Sequence, residues 1–121
     1  MHYLEVESLH AAKASYEDII QCFLSVKKGF IRDVVNSKWY EMILQVLKAA
    51  TKIKNSLAME NNTLLKCPDG RERSAQISAL AQIILNPFYR TFTGFAILVE
   101  KEFRFMGYPF TTRFGFRSEK D

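Results

Sequence analysis

The segment at 67–74 constrains the fold of this chain more than any other, because it places a thiol, a proline, a glycine and an arginine within eight residues. Cys67 stands six residues before Arg73, with a short apolar run at 63–65 ahead of it and a helical pattern behind it. Such a loop can turn its backbone N–H groups towards an anion at a helix N-terminus, where the helix dipole also favours negative charge. The same field favours the thiolate, which is the nucleophilic form of cysteine.

The order of strand, glycine-containing loop and helix is the layout of a cysteine phosphatase loop. In that interpretation Cys67 is the nucleophile and Arg73 binds the phosphate. The spacing alone is a weak signal, since a short motif of this kind also arises by chance. Cys22 illustrates this, because the residue six places after it is Lys28 and its neighbours form an apolar helical pattern. We therefore interpret Cys22 as a structural thiol.

Composition and charge restrict the class of protein. The 121 residues suit one small domain, and 48% hydrophobic with 25% charged residues is ordinary for a globular protein. The net charge of +4 is modest, and the spacing of the lysines is typical of solvent-exposed helix faces. We therefore expect no nucleic-acid partner. Two cysteines without metal-ligand spacing predict neither a disulfide framework nor a metal site, and we expect no cofactor. With no apolar run of transmembrane length and no signal peptide, we expect a cytoplasmic protein.

The spacing of apolar residues predicts a mainly helical chain. Helices are expected at about 16–24, 37–57, 74–85 and 91–105, with Asn36 or Ser37 as the cap of the second. Gly29, Pro87 and Pro109 mark helix ends. The segments 3–6 and 63–65 predict short strands, and the tail to 121 has no assignable pattern. Two strands cannot cover so many helix faces, so the chain looks incomplete as a domain.

Each of the four helices has a predicted apolar face. For the third, the face comprises Ile77, Leu80, Ala81, Ile84 and Leu85. For the fourth, the aligned residues are Phe92, Phe95, Val99, Phe103 and Met106.

The segments around the loop resemble the myotubularin-related phosphoinositide phosphatases. S-A-Q at 74–76, N-P-F-Y-R-T at 86–91, G-F at 94–95 and E-K-E-F at 100–103 resemble the T-A-Q, D-x-Y-Y-R-T, G-F and E-K-E-W of that family. Upstream, S-K-W at 37–39 and S-L-H at 8–10 resemble its T-K-W and N-I-H segments. The resemblance implies an α/β cysteine-phosphatase-like fold. Residues 1–121 would be a mainly helical, C-terminal part of it, with one or two short strands and the phosphate loop at about 63–85.

The same resemblance implies a catalytic role for four loop residues. Cys67 matches the nucleophile that forms a phosphocysteine intermediate. Arg73 matches the arginine whose planar fork binds two oxygens of the transferring phosphoryl group. Asp69 matches the first loop aspartate and Glu72 replaces the second.

Three further residues match positions that bind the substrate. Gly70 matches a glycine where the backbone approaches phosphate closely, and Arg71 lies beside the headgroup. Ser74 replaces a threonine and keeps a hydroxyl that can hydrogen-bond the leaving thiolate. Active members of the family remove the 3-phosphate from phosphatidylinositol 3-phosphate and phosphatidylinositol 3,5-bisphosphate, so the implied ligand is a phosphoinositide headgroup.

Five positions depart from the active members. Pro68 replaces a serine and removes one N–H donor from the phosphate cradle. Arg71 replaces a tryptophan, Glu72 is one methylene longer than the aspartate, and Lys66 replaces a histidine. In G-Y-P-F at 107–110, Pro109 stands where active members have a headgroup-contacting arginine. Together these changes favour impaired catalysis.

The resemblance leaves more than one function open. The first hypothesis is a catalytically impaired pseudophosphatase that binds or regulates an active myotubularin partner as a hetero-oligomer. The alternative is an active cysteine-dependent 3-phosphatase in its full-length context. A third is a helical interaction module whose loop matches by coincidence. Family members are much longer, so we expect 1–121 to be a partial phosphatase domain. The PH-GRAM and coiled-coil regions, which would bring the protein to endosomal membranes as a peripheral protein, are absent from it.

Overall fold

The computed structural model describes residues 4, 6–25, 27–68, 70 and 72–113, and over these residues the chain is helical. The α-helices are α1 (Leu9–Leu24), α2 (Phe30–Asn36), α3 (Trp39–Ala58), α4 (Arg73–Leu85), α5 (Phe92–Val99) and α6 (Phe110–Arg113). A 3-10 turn, Pro87–Arg90, precedes α5, and a π-helical segment, Glu100–Arg104, follows it directly. The chain divides into two compact units, 1–49 and 50–121.

In the first unit, α1 and α2 pack against each other. Ser8 begins α1 by accepting a hydrogen bond on its side chain from the Ala11 N–H at 3.3 Å, as an N-cap residue does. Gly29 allows the turn into α2, because its φ of 95° lies in the left-handed region that other residues adopt only with strain. Phe23 and Phe30 meet across this turn with ring centroids 5.4 Å apart.

A buried polar contact ties α1 to the start of α3. The Ser15 hydroxyl donates to the Ser37 carbonyl, and both serines are buried. The Ser37 side chain also accepts from the Trp39 N–H at 3.4 Å, so it bonds to the first residue of α3, and Ser37 is at the same time the residue that ends α2. The sequence pattern missed α2 altogether, because a seven-residue helix is too short to show a periodicity.

The second unit contains α4 and the segments that follow it. Asn86 ends α4, and its Oδ1 accepts from the Phe88 N–H at 3.0 Å, which starts the 3-10 turn. Thr91 then caps α5, since its Oγ1 accepts from the Gly94 N–H at 3.0 Å and donates to the Phe88 carbonyl at 2.8 Å. Gly94 is buried there, and a Cβ on it would lie 2.7 Å from the Phe88 carbonyl carbon.

The buried faces of α4 and α5 differ from the predicted ones. Of the predicted α4 face, Ile77 and Ala81 are buried but Ile84 and Leu85 are exposed, and α4 also buries Ala75 and Ala79. The buried residues of α5 are Gly94 and Leu98, whereas Phe92 is 93% exposed. The prediction of the α5 face was wrong because it followed the aromatic residues, while the close approach of α5 to the 3-10 turn requires a glycine.

No strand is present among the described residues, so the predicted strands are not confirmed. Of the segment 3–6, two residues lie outside the described part of the chain, and the Val6 N–H donates to the Leu4 carbonyl at 3.0 Å in a tight turn. In the segment 63–65, Leu64 is 91% exposed. A strand needs hydrogen bonds to a neighbouring strand. The described residues offer none.

Candidate phosphate-binding site

The structure brings three of the predicted site residues together at the start of α4. The Sγ atom of Cys67 lies 3.2 Å from the Ser74 Oγ, and the Ser74 hydroxyl donates to the Gly70 carbonyl at 2.8 Å. Gly70 has a φ of 70°, and a Cβ on it would meet nothing within 4 Å. The turn therefore requires the conformational freedom of glycine and not extra space.

One hydroxyl proton limits how Ser74 can bond to its two neighbours. A serine hydroxyl carries one proton, and a carbonyl oxygen can only accept. The Ser74 proton goes to the Gly70 carbonyl, so it is not at the same time directed to the Cys67 Sγ. For Ser74 to stabilise a thiolate, its hydroxyl must rotate away from the Gly70 carbonyl and towards Sγ.

The N-terminus of α4 faces the same loop. Arg73 is the first residue of the helix, and the Glu72 side chain makes no capping hydrogen bond. The first backbone N–H groups of a helix have no partner within the helix itself, so a helix N-terminus favours an anion. The anion and the loop thiol would therefore meet at one helix end.

The remaining predicted residues are only partly placed. Arg73 and Glu72 are half-buried at the start of α4, and Pro68 is exposed next to Cys67. Asp69 and Arg71 lie outside the described residues. The predicted roles of all seven site residues, Cys67, Asp69, Gly70, Arg71, Glu72, Arg73 and Ser74, stay predictions.

Further along α4 lies a polar cluster that the sequence did not predict as a unit. Gln82 donates through Nε2 to the Glu102 carboxylate at 2.9 Å and to the Ser78 Oγ at 3.1 Å. Lys101 donates to the Gln82 Oε1, and it also lies 3.3 Å from the Tyr89 hydroxyl and 5.2 Å from the centre of that ring. We call Ser78, Gln82, Lys101 and Glu102 the Gln82 cluster. Its only sequence signal was the E-K-E run, which periodicity does not interpret.

Glu102 stays ionised in this cluster. Burial alone would raise the pKa of its carboxyl group, but hydrogen bonds from Gln82 and Ser78 and the charge of Lys101 outweigh that effect. Its pKa is therefore lower than the ordinary value. An ionised carboxylate accepts hydrogen bonds only, so it fixes the direction of the Gln82 amide.

An aromatic cluster holds the segment after the π-helix. Phe103 lies 5.1 Å from Tyr108 and 6.3 Å from Phe110 between ring centroids, and Tyr108 and Phe110 are 5.0 Å apart. Gly107, with a φ of 75°, makes the turn that allows this arrangement. Pro109, which departs from the residue expected in active members, lies between Tyr108 and Phe110 in the sequence.

The described residues contain neither a candidate membrane span nor a candidate metal site. No helix there is both long enough and apolar enough to cross a lipid bilayer. No group of three or more His, Cys, Asp and Glu side chains in the same part of the chain could hold a metal ion.

Comparison with known proteins gives consistent results. A family model described as "Myotubularin-like phosphatase domain" matches residues 1–121. The human phosphatidylinositol-3,5-bisphosphate 3-phosphatase MTMR8 is 33% identical over 117 residues, which cover 93% of this chain and 17% of the relative. The Saccharomyces cerevisiae phosphoinositide 3-phosphatase is 33% identical over 121 residues, covering 93% and 18%. The Caenorhabditis elegans phosphatidylinositol-3,5-bisphosphate 3-phosphatase mtm-1 is 31% identical, covering 93% and 20%. The chain thus spans a fifth or less of these relatives.

Proposed function

The chain belongs to the myotubularin-like phosphatase domain family, and from that premise we propose that it carries a phosphoinositide-binding loop with impaired catalysis. The loop would bind the 3-phosphate of phosphatidylinositol 3-phosphate or phosphatidylinositol 3,5-bisphosphate. It would hydrolyse the ester slowly or not at all. Relatives of this chain are phosphatases acting on these two classes of lipid.

The observation that carries the proposal is the array of Cys67, Ser74 and Gly70 at the N-terminus of α4. The two contacts, of 3.2 and 2.8 Å, hold the thiol next to the N-terminal end of α4. A phosphate there would receive backbone N–H donors and the favourable end of the helix dipole. Arg73, at the first position of α4, would supply a charge-assisted hydrogen bond. Binding needs no more than this.

Hydrolysis of the phosphate ester requires more than binding, and two features of the loop oppose it. Pro68 has no N–H, so the loop lacks one donor for the charge that develops on phosphate oxygens. Losing one such donor typically costs about 10²–10³ in rate. The Ser74 proton also bonds to the Gly70 carbonyl, so Ser74 can stabilise a thiolate only after that hydrogen bond breaks. Each feature raises the barrier while leaving the anion site in place.

The experiment measures binding and hydrolysis with the same lipid. The purified chain is mixed with a short-chain phosphatidylinositol 3-phosphate, and binding is followed by calorimetry while released phosphate is assayed. We expect saturable binding that Arg73→Ala removes, with no phosphate released. Failure to bind, or release of phosphate by the chain, would contradict the proposal.

A second candidate function is an active cysteine-dependent 3-phosphatase at full length. The contact between Cys67 and Ser74 favours it, because a hydroxyl within 3.2 Å of the thiol can stabilise a thiolate after rotating. In this reaction an S–P bond to Cys67 forms as the inositol O–P bond breaks, and water then cleaves the S–P bond. Full-length protein and its Cys67→Ser variant separate the candidates. Only a true phosphatase loses activity on this substitution.

A protein that binds without turnover would act through others, so we also propose pairing with an active myotubularin in the cytoplasm, at endosomal membranes. Large apolar side chains of the second unit are available for contacts, among them Phe92 and Phe105, which are 93% and 86% exposed. Co-purification of full-length protein with an active relative tests this. Its purification as a monomer, with no effect on the relative's activity, would contradict it.

A further inference from the structure

The Gln82 cluster lies on the same helix as Ser74, and on the same side of it. Ser74, Ser78 and Gln82 follow each other at intervals of four residues, so they are neighbours along one face of α4. The residues at the two ends of this face, Ser74 and Gln82, each contact another segment of the chain. Ser74 touches the Cys67 thiol, while Gln82 bonds to Glu102 in the π-helical segment. The two ends are about 12 Å apart along the helix axis.

The packing of α4 does not by itself fix the rotation of the helix strongly. Three of its four buried residues are alanines, whose short side chains do not interlock with their neighbours as longer ones do. Hydrogen bonds are directional, so a polar contact on such a helix defines its rotation where small apolar residues do not. The Gln82 cluster is a contact of this kind, and it joins α4 to the π-helical segment.

Each hydrogen bond in the cluster has a direction set by chemistry. The Lys101 ammonium can only donate, and the Glu102 carboxylate can only accept. Gln82 therefore directs its Oε1 to Lys101 and its Nε2 to Glu102, and the amide cannot be reversed without losing both. The π-helical geometry brings two consecutive residues, Lys101 and Glu102, onto one glutamine. Such insertions in helices are frequent at functional sites.

We propose that Gln82 and Glu102 are positioning residues for the cysteine loop, which hold α4 at the rotation that keeps the Ser74 hydroxyl on the Cys67 thiol. The side chains of a helix lie about 5 Å from its axis, so a rotation of about 20° moves the Ser74 oxygen by about 1.7 Å. That displacement is enough to break a contact of 3.2 Å. This inference rests on the proposed function of the loop, and it names what holds the loop in register.

The test measures the alkylation of both cysteines by iodoacetamide at neutral pH, with mass spectrometry of the two cysteine-containing peptides. Cys22 lies in α1 of the first unit, so its rate reports on unfolding of the whole chain, and the ratio of the Cys67 rate to the Cys22 rate corrects for it. Ser74→Ala changes this ratio by about threefold to tenfold, the scale of one hydrogen bond. Gln82→Glu, which sets a second carboxylate against Glu102, changes it in the same direction. In the Ser74→Ala background, Gln82→Glu has no further effect.

Two more variants control the result. Gln76→Glu makes the same chemical change in the same helix, at a side chain that forms no hydrogen bond among the described residues, and it leaves the ratio unchanged. The double variant Gln82→Glu/Glu102→Gln restores the ratio of the unsubstituted chain. Its carboxylate at position 82 accepts from Lys101, while its amide at position 102 donates to that carboxylate.

Several outcomes would overturn the proposal. These are an unchanged ratio in Gln82→Glu or in Ser74→Ala, an effect of Gln82→Glu that persists without the Ser74 hydroxyl, and a double variant that does not recover. A parallel rise in both cysteine rates would show that Gln82 only holds the fold. Alkylation needs no phosphoinositide. Absent headgroup binding would therefore contradict the proposed function and leave this result standing.

Discussion

Replacing Gly94 by alanine is expected to destabilise the second unit by about 1–3 kcal/mol. The added Cβ would lie 2.7 Å from the Phe88 carbonyl carbon and 3.0 Å from the Thr91 Oγ1, and the first of these atoms belongs to the backbone. Overpacking of this kind costs about 1–3 kcal/mol. The shift also weakens the Thr91 cap, at about 1 kcal/mol. The higher helix propensity of alanine offsets about 1 kcal/mol of this destabilisation.

The sign of the effect makes this a strict test. If α5 did not approach the 3-10 turn so closely, alanine would stabilise the helix by about 1 kcal/mol, because glycine is a poor helix former. Gly107→Ala is the matched control: its φ is 75° but no atom lies within 4 Å of a Cβ, so only backbone strain of about 1–2 kcal/mol applies. Urea unfolding followed by circular dichroism gives the free energies. Hydrogen exchange of the amides at 92–99 shows that α5 is the affected helix. A neutral or stabilising Gly94→Ala would refute the close approach.

Substitutions at three further positions test the loop, the cluster and the cap. Pro68→Ser and Pro68→Ala both restore a backbone N–H at position 68, so each should tighten the binding of tungstate, an oxyanion that stands in for phosphate, about tenfold. If neither substitution changes the affinity for tungstate, this amide does not face the anion. Glu102→Gln should lower the free energy of unfolding at neutral pH. Because folding lowers the pKa of Glu102, the difference in free energy from the unsubstituted chain should shrink as the pH falls below 4.5. A difference that does not depend on pH would contradict an ionised carboxylate at Glu102. Thr91→Ala should cost about 1 kcal/mol in urea unfolding while Thr91→Ser costs much less, and equal losses would show that the hydroxyl cap is not what matters.

Local signals in the sequence predicted the helices that are long or have clear ends. Pro87 and the residue before it set the end of α4, and the break after α3 follows from Glu60, whose φ is 58°. The face of α5 could not be predicted, because it depends on the close contact of Gly94 with a carbonyl of another segment. A pattern of residues along one helix contains no information about such a contact.

The candidate site shows the same division. The spacing of Cys67 and Arg73 predicts a phosphate loop, which stays a prediction, and the structure adds that Ser74 bonds both to the thiol and to the Gly70 carbonyl. The sequence did not predict the Gln82 cluster, because its members come from α4 and from a π-helical segment. The spacing of apolar residues cannot distinguish that segment from an α-helix. Its partners are 19 and 20 residues apart, so only the folded chain brings them together.

Phosphorus NMR of inositol 1,3-bisphosphate, the soluble headgroup of phosphatidylinositol 3-phosphate, tests binding without turnover most directly. One sample reports both events, because bound ligand shifts or broadens the 3-phosphate signal while hydrolysis produces a separate signal of inorganic phosphate. We predict that the chain shifts the 3-phosphate signal, that Arg73→Ala abolishes the shift, and that no inorganic phosphate appears. Inorganic phosphate that appears with the unsubstituted chain and not with Cys67→Ser, or a 3-phosphate signal that never moves, would contradict the account.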